Sequence, residues 1–135
     1  MSGLSVLVVD DDPDLRFVLG EVLRWSGHSV REVRHGQDAL DLMASGWLPQ
    51  LILLDIGMPV TDGLTFLRSK QKIRELADVP VVVVSATAEP PIDGVCCVLR
   101  KPVDPVDLVS IVNTVTGRSV KVSPEAGVRK ARVRR

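Results

Sequence analysis

Residues 4–13 read LSVLVVDDDP, and this stretch decides the class of fold. Residues 4–9, apolar except for Ser5, form a short, continuous run that is rich in β-branched side chains, which is typical of a strand buried on both faces of a parallel sheet. Aspartates follow at once, and Asp12 before Pro13 is a sequence signal for the start of a helix. A buried strand that runs directly into a helix start predicts a βα unit.

The same alternation continues along the chain. Buried-strand patterns recur at residues 29–33, 51–54, 80–84 and 95–99. Apolar residues at helical spacing predict four helices, three between strands and one after the last strand. The second and fourth helices cover residues 36–45 and 104–115. The first has an apolar stripe of Leu15, Val18, Leu19, Val22 and Leu23, and the third carries Leu64, Phe66, Leu67, Ile73 and Leu76. Strands and helices in this order form right-handed βαβ units, so we predict a doubly wound α/β fold.

The net charge of zero is the sum of two unlike parts. Residues 1–117 hold 16 acidic and 10 basic side chains, whereas residues 118–135 hold one acidic and seven basic side chains. The basic part is poor in large apolar groups and contains Pro124 and Gly127, which is typical of disorder. We therefore expect one folded domain over residues 1–117 and a disordered basic tail over residues 118–135. Nucleic-acid binding is not expected except through this tail.

Composition also excludes several classes of protein. No apolar run approaches the roughly 20 residues of a membrane-spanning helix, and residues 1–3 do not begin a signal peptide. The two cysteines, Cys96 and Cys97, are neighbours in an apolar run, which favours neither a disulfide nor a zinc site. We expect a reducing, cytoplasmic setting and no membrane partner.

Polar side chains follow four of the predicted strands at the point where each strand ends. They are Asp10, Asp11, Asp55, Ser85 and Lys101. The carboxyl ends of parallel strands meet at one edge of the sheet, so these groups should converge. Clustered carboxylates need a cation, and Mg²⁺ prefers oxygen ligands together with a phosphate. With a lysine nearby, an aspartate there can act as a nucleophile toward phosphorus, which predicts an aspartyl phosphate on Asp55.

These motifs resemble the response-regulator receiver domain of bacterial two-component signalling, of the CheY-like kind. The matching segments are 7–12, 53–59 with 62–63, 83–86 and 101–102. The resemblance implies a flavodoxin-like sheet of five parallel strands in the order 2-1-3-4-5. It also implies a stand-alone signalling module, which is not an enzyme beyond slow self-dephosphorylation. A histidine kinase or phosphotransfer protein would donate the phosphoryl group, and a downstream protein partner would receive the signal.

The resemblance also assigns roles to single residues. Asp55 would accept the phosphoryl group, with Asp11 as a direct Mg²⁺ ligand and Asp10 acting on the metal through water. The backbone carbonyl of Gly57 would complete the coordination. Ser85 and Lys101 would each bind a phosphoryl oxygen, and a cis bond would precede Pro102. For Asp12 and Asp14 we favour helix capping.

Two features depart from the family pattern. Val98 occupies the position, three residues before Lys101, where the family commonly has an aromatic switch residue. The segment between Ser85 and Lys101 is short and contains Pro90 and Pro91, which oppose a helix interior. We therefore expect the fourth helix to be shortened or absent.

Two other functions stay open at this stage. One is a Mg²⁺-dependent phosphohydrolase with Asp55 as nucleophile, although Gly57 stands where such enzymes usually place a second carboxylate. The other is a degenerate receiver that works as an unmodified binding module.

Overall fold

Strands and helices alternate along the chain as predicted. The computed structural model describes residues 3–56, 63–86, 95–117 and 128–130. The elements are β1 (Ser5–Val9), α1 (Pro13–Trp25), β2 (Ser29–Val33), α2 (Gly36–Ala44), β3 (Leu51–Asp55), α3 (Gly63–Gln71), β4 (Val81–Ser85), β5 (Cys97–Arg100), α4 (Pro105–Val115) and β6 (Val128–Lys130).

The sheet has the strand order β2-β1-β3-β4-β5-β6. Its first five strands are parallel, which confirms the expected order 2-1-3-4-5 and the flavodoxin-like fold. Strand β1 lies between β2 and β3, with Val9 in register with Val33 and Leu54. The carboxyl ends of β1 and β3 are therefore adjacent, and the residues that follow them meet at the same edge.

The sixth strand is a correction to the sequence analysis. Strand β6 pairs with β5 in antiparallel register, with Val128 beside Leu99 and Lys130 beside Cys97. It lies within residues 118–135, where we expected a disordered tail, so the expectation is wrong for these three residues. Backbone pairing explains the difference, because an edge strand offers hydrogen-bonding groups to any extended segment regardless of its side chains.

Two apolar layers cover the sheet, one on each face. Alternate residues of β1 belong to different layers, because successive side chains of a strand point to opposite faces. Leu7 and Val9 pack with α2 and α3, and Val6 and Val8 pack with α1 and α4. Strands β3 and β4 are buried along their whole length, which agrees with the continuous apolar runs of the sequence.

Helix α1 buries a narrower stripe than we predicted. Leu19 and Leu23 are buried, whereas Val18 is 46% exposed and its neighbour Phe17 is 61% exposed. At 100° per residue Val18 lies on the margin of the face centred on Leu19 and Leu23, so it does not reach the sheet. The helix ends before Gly27, whose φ of 95° is readily adopted only by glycine.

Helix α3 is shorter than the apolar pattern suggests. It ends at Gln71, and Ile73 and Leu76 lie in the turns that follow. Lys70 is fully buried at this point, and its ammonium group donates to the Ala77 carbonyl at 3.0 Å. Leu76 still packs into the core, so the turns present apolar side chains to the sheet without continuing the helix.

The prediction of a shortened or absent fourth helix concerns residues 87–94, which lie outside the described residues, and it stays a prediction. Val98, at the position where the family commonly has an aromatic switch residue, is buried in the layer that contains α2 and α3. Among the helices of the described ranges, none has the length and apolar character that crossing a bilayer requires.

Candidate metal centre

Three carboxylates meet at the carboxyl edge of the sheet. Asp10 and Asp11 follow β1, and Asp55 is the last residue of β3. One oxygen from each carboxylate can be chosen so that all three lie within 4.8 Å of one another. Asp10 and Asp55 are buried, while Asp11 is partly exposed. The structure therefore brings together the three aspartates that the sequence analysis singled out.

Hydrogen bonds with the backbone of Val33 and Asp12 hold Asp10 in place. Its N–H donates to the Val33 carbonyl at 3.1 Å, and its Oδ1 accepts from the N–H of Asp12 at 2.9 Å. Its Oδ2 is buried and finds no hydrogen-bond partner within the described part of the chain. The pKa of Asp10 is raised to about 7, chiefly by burial and in part by Asp55, against the opposing effects of the Asp12 N–H and Lys101.

The start of α1 separates the metal-site aspartates from the capping ones. Asp12 is the N-cap, and its Oδ1 accepts from the N–H groups of Asp14 and Leu15 at 3.0 and 3.3 Å. Asp14 lies in the first turn, where a negative charge interacts favourably with the helix dipole. The capping prediction is confirmed for Asp12, whereas Asp14 lies inside the first turn, beyond the N-cap position.

Lys101 and Ser85 complete the edge. The Lys101 ammonium lies 3.5 Å from Asp55 Oδ2, and its backbone N–H donates to the Ser85 carbonyl at 2.8 Å. The Lys101 side chain is partly exposed and that of Asp55 is buried, so the lysine ammonium approaches Asp55 from the solvent side. Ser85 ends β4 in a buried position, and the Lys101–Pro102 peptide bond is cis, as expected.

The donor set fits a hard divalent cation. All three side chains supply carboxylate oxygens, which Mg²⁺ and Ca²⁺ prefer. The buried Oδ2 of Asp10 is a polar atom that water or a metal ion would satisfy. The fourth expected ligand, the carbonyl of Gly57, lies outside the described residues.

The sequence analysis missed one residue of this edge. Arg16, in the second turn of α1, donates from Nη1 to the Asp10 carbonyl oxygen at 2.8 Å. Its Nε also lies 3.9 Å from Oε1 of Glu32 on β2. The only signal in the sequence is a basic residue six positions after an aspartate, which is too common to single out.

Comparison with known proteins agrees with the fold and with the acidic edge, which is the carboxyl edge of the sheet that carries Asp10, Asp11 and Asp55. Residues 6–113 match the family described as the response regulator receiver domain. The transcriptional regulatory protein BaeR of Escherichia coli is 35% identical over 120 residues, which covers 84% of this chain and 48% of BaeR. A 14.6 kDa protein in the sodA1 3′ region of Leptolyngbya boryana is 30% identical over 118 residues, or 83% of this chain and 89% of that protein.

A solved structure shows the same likeness. The receiver domain of the Francisella response regulator 1452 is similar with a TM-score of 0.74 and 26% identity, covering 85% of this chain and 98% of that domain. This chain spans about half the length of BaeR but most of the Francisella domain. The match over residues 6–113 includes the four strand ends that form the acidic edge, and the chain belongs to the response regulator receiver domain family.

Proposed function

We propose that this chain accepts a phosphoryl group on Asp55 in a Mg²⁺-dependent reaction and signals through a change of its surface. The observation that supports this most directly is the cluster of Asp10, Asp11 and Asp55 within 4.8 Å, with the Lys101 ammonium 3.5 Å from Asp55. Receiver domains are signalling modules in general, so the role proposed here is that of a phosphoacceptor and not of a turnover enzyme.

Each residue has a separate task in this proposal. Asp11, Asp55 and the Gly57 carbonyl would hold Mg²⁺, and Asp10 would act on it through water. When bound, the ion would supply positive charge opposite the phosphoryl oxygens. Lys101 pairs with one phosphoryl oxygen and Ser85 hydrogen-bonds another. Lys101 already faces Asp55, so its charge is in place before a donor arrives.

The donor is a histidine kinase or a phosphotransfer protein that carries a phosphohistidine. An Asp55 carboxylate oxygen bonds to phosphorus while the bond between phosphorus and the imidazole nitrogen breaks. That nitrogen then takes up a proton, and the phosphoryl group remains on Asp55 as an acyl phosphate. Such donors act in the cytoplasm, which is the location that the proposal requires.

A docking surface for the donor lies beside the acidic edge. Helices α1 and α4 pack together on one face of the sheet, and both begin at the edge where the aspartates lie. Phe17 of α1 and Val106 of α4 are 61% and 58% exposed. Exposed apolar groups next to a reactive centre favour contact with a protein partner. A downstream protein partner then responds to the changed surface.

Phosphorylation by a small donor tests the proposal without a kinase. The purified chain is incubated with acetyl phosphate, with Mg²⁺ or with EDTA, and the intact mass is measured. We expect a gain of one phosphoryl group with Mg²⁺ only. Asp55→Asn should abolish it, and Asp14→Asn, which changes an exposed aspartate of the same edge, should not.

Other results would support the alternatives. Labelling that survives in Asp55→Asn would contradict the assignment of the phosphoacceptor. Continuous hydrolysis of a phosphate ester by the purified chain would favour a phosphohydrolase. If no phosphoryl group is gained while Mg²⁺ binding is intact, the chain is a degenerate receiver that acts by unmodified binding.

A further inference from the structure

Arg16 connects the acidic edge to a network of charges between α1 and β2. Its side chain is 17% exposed, and its guanidinium contacts both the Asp10 carbonyl oxygen at 2.8 Å and Glu32 Oε1 at 3.9 Å. Glu32 Oε2 is in turn 2.9 Å from Nη2 of Arg24, and Nη1 of Arg24 is 3.2 Å from Glu21. Arg16 is therefore held at its far side by Glu32 while it donates to the turn that carries the aspartates.

The contact with Asp10 acts on a particular peptide group. The carbonyl of Asp10 belongs to the peptide that joins Asp10 to Asp11, so a donor fixed on this oxygen restrains the rotation of that peptide. Rotation of the peptide would change the direction of both side chains. The N–H of Asp10 is already bonded to Val33, so Arg16 supplies the second restraint on the backbone of this residue.

The Glu32 carboxylate occupies the space beside Gly20 that a larger residue's side chain would fill. A Cβ atom at this position would overlap Oε2 of Glu32 and lie 3.1 Å from Nη1 of Arg24. Glycine inside a helix costs about 1 kcal/mol relative to alanine. Here its missing side chain leaves room for the Glu32 carboxylate against α1, where that carboxylate can contact both arginines.

We propose that Arg16 is a positioning residue for the metal centre, which aims Asp10 and Asp11 by its hydrogen bond to the Asp10 carbonyl. The proposal rests on the proposed function, because it assumes that these aspartates bind Mg²⁺. Arg16 touches neither the metal nor the phosphoryl group, and it acts through the Asp10–Asp11 peptide. Glu32 holds the guanidinium in the orientation that this bond requires.

Positioning and simple electrostatics predict opposite changes in Mg²⁺ affinity when Arg16 is replaced. A positive charge near a cation site weakens cation binding, so loss of the charge alone would tighten Mg²⁺ binding. Loss of a hydrogen bond that orients the ligands would weaken it, and removal of groups that orient metal ligands typically lowers affinity by about 10-fold to 100-fold. The sign of the change therefore separates the two effects.

The test measures Mg²⁺ affinity of the unphosphorylated chain by following backbone amide shifts in NMR titrations. We expect Arg16→Met to raise the dissociation constant by about tenfold. Arg16→Lys keeps the charge but not the planar fork that reaches two acceptors, so it should weaken binding in the same direction. Arg24→Met is the matched control, since Arg24 contacts Glu32 but has no hydrogen bond to Asp10, and it should bind Mg²⁺ like the wild type.

Urea unfolding in EDTA shows whether each variant is folded at the titration temperature. If Arg16→Met does not fold, Arg16→Lys decides the outcome. Unchanged or tighter Mg²⁺ binding in the folded variants would overturn the proposal, and so would an equal loss in Arg24→Met. If the wild-type chain itself does not bind Mg²⁺, the proposed function fails, which is a distinct result.

Discussion

Replacing Asp10 with asparagine should stabilise the metal-free chain, although Asp10 lies in the proposed functional site. Asp10 is fully buried next to Asp55, and burial raises its pKa from 3.8 to about 7. Asparagine keeps an oxygen that can accept from the Asp12 N–H, as Oδ1 does now at 2.9 Å. It removes the buried negative charge and the repulsion from Asp55, so the folded state should gain free energy.

The sign and size of the effect follow from linkage between protonation and folding. The folded pKa lies above the unfolded one, so the stability linked to Asp10 is present at low pH and is lost as pH rises through about 7. A difference of about 3 between the two pKa values corresponds to about 4 kcal/mol above pH 7. At pH 5 about 2 kcal/mol of this has been lost, because the unfolded carboxyl is already ionised while the folded one keeps its proton; the loss is complete once the folded carboxyl ionises near pH 7.

Urea unfolding in EDTA at pH 5 and pH 8 measures the prediction. The stability advantage of Asp10→Asn over the wild type should be about 2 kcal/mol larger at pH 8 than at pH 5. Asp14→Asn is the control, because the same chemical change at an exposed first-turn position should give less than about 1 kcal/mol and no such pH dependence. Equal advantages at the two pH values, or a less stable Asp10→Asn at pH 8, would refute the reasoning.

Three further predictions concern other parts of the chain. Phe66→Ala should lower the free energy of unfolding by about 3 to 5 kcal/mol in urea, because Phe66 is fully buried, and a loss under 1 kcal/mol would contradict the packing described here. Phe17→Ala should slow phosphotransfer from a histidine kinase at least severalfold while labelling by acetyl phosphate is unchanged; equal slowing of both reactions would argue against a docking role. Deletion of residues 118–135 should speed hydrogen exchange at the amides of Cys97 and Leu99, which face β6, but not at the amide of Val98, which faces β4. Deletion of residues 131–135 alone should have no effect on this exchange. Unchanged exchange in the longer deletion would count against the β6 pairing.

Most of the fold follows from the sequence because its signals are local and agree with one another. Residues 6–9 and 51–54 are apolar without interruption, and each runs directly into aspartate, so both strands and their ends could be placed. Parallel strands bring their carboxyl ends to one edge of the sheet, so Asp10 and Asp55 were expected to converge there. For the same reason Lys101, at the end of β5, was expected beside Asp55.

The errors in the sequence analysis occur where a neighbouring element decides the outcome. Val18 fits the apolar stripe of α1, but the sheet contacts a narrower face and leaves it exposed. Ile73 and Leu76 continue the apolar pattern of α3, yet the helix ends at Gln71 and the turns that follow still bury Leu76. Strand β6 has no apolar pattern of its own and depends on the backbone of β5.

The sequence by itself determined the alternation of strands and helices and the meeting of the acidic side chains, while the order of the parallel strands came from the resemblance to receiver domains. Only the tertiary structure decided how the adjacent aspartates differ. Asp10 is buried against Asp55 and has a raised pKa, whereas Asp11 is partly exposed. The structure alone also placed Arg16 on the Asp10 carbonyl. Desolvation and hydrogen bonding depend on what other segments place around a group, and neighbours in the sequence carry no record of that.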